Sequence, residues 1–113
     1  MSSIPLDYPT AVSLYSQIQA AKSTDSYQDL LESAIRYAAL RVQWLQTEGD
    51  VRADVDIRRT RAHNAFIDQC NILARMMAAG GEDASWRDTL GQDRKDIGDF
   101  ACYIHCFLGL AAR

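Results

Sequence analysis

The chain has 113 residues, of which 48% are hydrophobic and 24% charged, and its formal net charge is −3. These values fit one globular domain with a core of its own and exclude a chain too polar to fold. Both signs of charge are spread along the sequence with no basic tract, so neither nucleic acid nor an anionic membrane is an expected partner.

Three cysteines, an odd number, argue against a disulfide framework. The segment from Met1 to Asp7 lacks the basic stretch and apolar run of a secretory signal. The uncharged run from Phe100 to Ala112 is too short to span a bilayer. A cytoplasmic, reducing location is the resulting expectation.

Both prolines, Pro5 and Pro9, precede the first periodic segment, and residues 1–9 are expected to form an extended arm. From Thr10 to Ala21 the residues Ala11, Leu14, Tyr15, Ile18 and Ala21 recur at helix spacing. After a polar connection, Ser26 with Asp29 marks the start of a second helix. Its stripe is Tyr27, Leu31, Ala34, Ala38, Val42 and Leu45, and Gly49 is expected to close it in the left-handed conformation.

A third and longest helix starts at Asp50 or Asp54 and runs toward Gly80-Gly81. Its stripe is Val51, Val55, Ala62, Phe66, Leu73 and Met76, with Met77 at the edge; stiff Val55 and Ile57 and a capping Thr60 leave open whether it is continuous or broken near Asp54 to Thr60. Ser85 with Asp88 predicts a short helix from Trp86 to Leu90, closed by Gly91. Asp93 with Asp96 opens the last helix, whose stripe is Ile97, Phe100, Ala101, Ile104, Phe107, Leu108 and Ala111. The predicted fold is all-α, a single compact bundle of four main helices plus one short helix.

The last helix is apolar on its far side too, at Cys102, Tyr103, Cys106 and Leu110. Gly98, Cys102, Cys106 and Gly109 also make a small-residue row along it. A helix with no polar side is expected either at the centre of the bundle or at a dimer interface. A homodimer that works by association is therefore the first functional expectation.

Polar residues within apolar stripes supply the second. Arg41 sits between Tyr37 and Trp44 in the second helix, Arg58 lies in the stripe of the third, and His63 is at that stripe's edge. A buried arginine must be paired or must reach water along its stem, and Asp99 is the partner expected for either one. Should Arg41 and Arg58 share a cavity, they would bind a small anionic ligand, with Tyr37 and Trp44 stacking around it.

No catalytic constellation is evident, so a non-enzymatic role is expected and no cofactor is called for. Cys102, His105 and Cys106, with His63 or Cys70, raise a zinc reading, but the spacing is not that of known structural sites and core packing is expected instead. Trp86 to Leu90 followed by Asp93 onward has a helix-turn-helix outline, yet Arg94 and Lys95 are hemmed by Asp93, Asp96 and Asp99.

The stretch from Arg58 to Asp68, with Ser85-Trp86-Arg87-Asp88 and Asp93 to Phe100, resembles small bacterial all-helical proteins grouped as domains of unknown function. The resemblance covers about half the chain. It implies a bacterial source and a compact helical fold, and it transfers no activity and no catalytic residue.

Overall fold

A computed structural model describes residues 6–111. Five helices follow in order: α1 (Tyr8–Ile18), α2 (Asp25–Gln46), α3 (Gly49–Ala79), α4 (Trp86–Leu90) and α5 (Arg94–Ala111), with one 3-10 turn at Gln19–Ala21 after α1. There is no strand among the described residues, as the absence of any alternating pattern predicts.

Caps chosen by short polar side chains fix most of the helix starts. The Asp7 carboxylate accepts from the Thr10 amide at 2.9 Å, so α1 begins at Tyr8 and takes in Pro9 within its first turn. Tyr8 and Pro9, expected in an extended arm over residues 1–9, are thus helical, and residues 1–5 lie outside the described residues. At α2 the Thr24 hydroxyl accepts from the Tyr27 amide, so the cap lies two residues before the expected Ser26. Asp93 accepts from the Asp96 amide at the start of α5, the pairing the sequence predicts.

α3 is one unbroken helix of 31 residues, about 46 Å at the standard rise. Of the two alternatives the sequence leaves open, the helix is the continuous one, with no break between Asp54 and Thr60. Two ion pairs, Arg58–Asp54 and Arg59–Asp56, join successive turns there and support the helix by a few tenths of a kcal/mol each. Gly49 does adopt the left-handed conformation (φ 66°), although α2 ends three residues earlier and Thr47 and Glu48 are extended.

α2 and α3 form a long antiparallel hairpin against which α1, α4 and α5 pack at one end. The core there comprises Leu14, Ile18, Leu30, Phe66, Leu73, Trp86, Ile97, Phe100 and Ile104, all almost fully buried. Met77 belongs to it and Met76 is only half-buried, the reverse of the predicted assignment. The other end of the hairpin is nearly bare. Val42, Leu45 and Val51, expected in apolar stripes, are 53%, 65% and 60% exposed because no third helix reaches them.

α5 is not central. One face buries Ile97, Phe100, Ala101 and Ile104, while His105, Cys106, Gly109 and Leu110 on the other are exposed. Of the small-residue row, only Gly98 admits a close neighbour: a Cβ there would lie 2.7 Å from the buried Tyr37 hydroxyl, whereas one on Gly109 would meet nothing.

Candidate functional site

A cleft of about 820 Å³ opens where α2, α3 and the first turn of α5 meet. Its walls include Tyr37, Arg41 and Trp44 from α2, then Arg59, Thr60, His63 and Asn64 from α3, then Arg94 and Lys95 from α5. That size falls within the roughly 300–1,000 Å³ usual for small-molecule sites.

Four of the residues singled out in the sequence, Tyr37, Arg41, Trp44 and His63, line this one cleft. Asp99 lies behind it, bonded to Arg41 Nη1 at 2.8 Å and to Lys95 Nζ at 3.0 Å. The expected Arg41–Asp99 pair is therefore present. Burial is the largest single influence on Arg41 and lowers its pKa, but the Asp99 hydrogen bond together with the interactions of Cys102, Tyr37 and Asp99 outweighs it and leaves the guanidinium more firmly protonated than usual.

Arg58 is not in the cleft. It projects from the other side of the α2–α3 hairpin, about half exposed, and lies 3.5 Å from Asp54. One residue further along the helix turns the side chain by about 100°, and it is Arg59 that faces the cleft. Arg59 is held by Asp56, which raises its pKa, and its guanidinium lies 4.6 Å from the Trp44 ring centroid. Arg52 covers the same ring at 4.0 Å. Trp44 thus serves as the platform that orients two cations, rather than as a free stacking surface.

His63 is 5% exposed and sits edge-on to the Tyr37 ring, with centroids 5.1 Å apart. Its Nε2 lies 2.7 Å from the Arg94 carbonyl oxygen. A carbonyl only accepts, so Nε2 carries the proton and Nδ1 presents a lone pair. That Nδ1 is buried and has no hydrogen-bond partner. Burial lowers the imidazole pKa; the hydrogen bond to Arg94 opposes this, while the charges of Arg94, Arg59 and Arg41 add to the lowering. In this neutral form the ring's single acceptor site is unused.

The balance of charge is uneven. The cleft is lined by four cations, Arg41, Arg59, Arg94 and Lys95, and the carboxylates bonded to them are two, Asp56 and Asp99. Arg94 bonds only the Asn64 amide oxygen, at 3.1 Å, and no carboxylate is within ion-pair distance of it among the described residues. Arg94 and Lys95 also occupy the first turn of α5, where the positive end of the helix dipole disfavours cations. This local excess stands out in a chain whose net charge is −3.

The cysteines do not form a centre. Cys70 is in the core, where burial pushes its thiol up to about 12. Cys102 is half-buried with Sγ 3.6 Å from Arg41 Nη1, and Cys106 is exposed. Among the described residues no group of three or more His, Cys, Asp or Glu is placed to hold a metal ion. Nor is any described helix long and apolar enough to cross a membrane.

Sequence reasoning missed Arg59, Arg94 and Lys95. The first is displaced by one position from the arginine chosen, and the acids flanking the other two disguised their excess. Comparison with family models, curated proteins and solved structures gives no match.

Proposed function

We propose that the chain is a non-enzymatic binding domain for a small dianion, held in the cleft between α2, α3 and the start of α5. The observation that carries this reading is the excess of two positive charges in a concave site of ligand size. Arg94 and Lys95 supply charge and donors, Arg59 on its Trp44 platform faces them, and Thr60 and Asn64 add neutral polar groups. Phosphate esters and dicarboxylates are the chemistries that match two positive charges. No nucleophile with a positioned base lines the cleft, so binding without turnover is the activity proposed, in a cytoplasmic protein of bacterial type.

A thermal-shift series with inorganic phosphate, phosphate monoesters and dicarboxylates tests it. A ligand present at 100 times its Kd stabilises by about 2.7 kcal/mol, and for a domain this size that amounts to a rise of roughly 10 °C or more in Tm. Arg94→Ala with Lys95→Ala should abolish the rise. Equal shifts in wild type and variant would sink the reading.

A second reading is self-association. Tyr8, Val12 and Leu110 are 57%, 37% and 58% exposed around a groove shared with Tyr15 and Phe107. Grouped apolar side chains on a monomer surface are uncommon away from interfaces. Light scattering coupled to size exclusion checks this reading, and a monomer at about 100 µM would remove it.

A further inference from the structure

The apolar rim of α1 and α5 would accept any apolar partner; another face of the molecule is written for a second copy of this chain. On the outer side of the α2–α3 hairpin two shallow grooves lie end to end, and Arg36, Ala62 and Ala65 line both. One groove carries the acids Asp29 and Glu32; the other carries Arg58 and Arg61. The charges are thus sorted by sign along the face, with alanines where the two halves meet.

Asp29, Glu32, Arg36 and Arg61 are all exposed. The ion pairs among the described residues include none of the four, and Arg58 has only its 3.5 Å contact with Asp54. The spacing of Glu32 and Arg36 would allow an ordinary bond across one helical turn, and that bond is not made.

We infer that two copies associate face to face through α2 and α3, antiparallel about a two-fold axis near Ala62 and Ala65. In that arrangement the acidic end of each copy meets the arginine end of the other, and every contact occurs twice. Small side chains at the centre let the two hairpins approach closely as a four-helix layer, with Leu40 supplying apolar area at the arginine end. No residue of this face lines the anion cleft, so the cleft stays open in the dimer. This inference rests on the reading that the chain self-associates, but it places the contact on α2 and α3 rather than at the α1–α5 groove.

The test uses the full chain in size exclusion with light scattering. Asp29→Arg with Glu32→Arg, and separately Arg36→Glu with Arg61→Glu, should each raise the dimer Kd by roughly tenfold or more, because each reversal repels at two symmetric places. An equimolar mixture of the two variants should restore the dimer, since an all-basic face then meets one on which Arg58 is the one remaining cation among Asp29, Glu32 and the two new glutamates; misfolded variants could not do this. The wild-type dimer should also weaken between 50 mM and 500 mM salt. A monomeric wild type would overturn both the self-association reading and this surface. A dimer that survives both reversals, or that Leu110→Asp alone dissociates, would overturn this surface only. Failure of the mixture to re-form a dimer would overturn it as well.

Discussion

The guanidinium of Arg41 on α2 holds the carboxylate of Asp99 on α5 at 2.8 Å, although 58 positions separate them in the chain. The same carboxylate takes Lys95 at 3.0 Å through its other oxygen. A single acid thereby pins the start of α5 to the middle of α2 and sets the rear wall of the cleft.

Breaking that pin should cost stability. The Arg41 and Asp99 side chains are 30% and 15% exposed, so the pair is partly screened and Asp99→Asn should destabilise by about 1–2 kcal/mol. Urea unfolding measures it. Replacing both partners, as Arg41→Met with Asp99→Leu, should cost less than the sum of the two single changes, because neither charge is then left without its partner.

At Gly98 α5 packs directly against the Tyr37 ring of α2. An alanine Cβ there would be 2.7 Å from the Tyr37 hydroxyl and 3.1 Å from the ring carbon that bears it, and Tyr37 is itself buried. Gly98→Ala should therefore destabilise by about 1–3 kcal/mol despite its better helix propensity. Adding Tyr37→Phe removes the nearest atom and should recover part of the loss, which a double-mutant cycle would show.

His63 makes stability depend on pH with a definite sign. Burial, reinforced by the nearby arginine charges, holds its folded pKa below the ordinary 6.5. Between the two values the unfolded chain binds the extra proton, so stability rises with pH through that window and is lost as pH falls from about 6.5 toward the folded value. Denaturant midpoints from pH 7.5 to 5 should fall less steeply for His63→Gln than for wild type. Saturating inorganic phosphate should also flatten the wild-type curve, because an anion among the cations makes an imidazolium easier to form.

The cysteines should separate cleanly in labelling. Cys106 is exposed and should react with an aromatic disulfide reagent in the native state. Cys70, fully buried with its thiol pushed up to about 12, should react only after unfolding. Equal native rates at both would contradict the packing of α3.

Helix content and helix order could be read from the sequence because apolar spacing marks each helix, although the caps and closing glycine were misplaced by two or three residues at the start of α1 and at both ends of α2. Arg41 could be read for a related reason: a cation within an apolar stripe demands a partner, and the acid in the right place on the last helix was Asp99. The choice between Arg58 and Arg59 could not be made. α3 extends beyond the other helices, so before Ala62 it has Val55 alone as a buried residue to calibrate the direction of a side chain. The excess charge at Arg94 and Lys95 was hidden by counting flanking acids, whereas only geometry shows which acids are engaged elsewhere. The buried Arg87, whose Nε donates to Asn71 and Nη1 to the Gly91 carbonyl, gave no signal because a short helix has too little periodicity to mark its inner face.

The bare end of the α2–α3 hairpin has a kinetic meaning. Beyond Ala38 in α2 and before Ala62 in α3, Val55 is the one helix residue fully withdrawn from water. Amide protons of that tip should exchange with solvent by local opening, far faster than those around Phe66 and Leu73. Trp44 and Arg59 stand on this part of the hairpin. A guest in the cleft that bridges them to Arg94 would tie the loose tip to the packed end, so that occupancy is written as slowed exchange some distance from the guest itself.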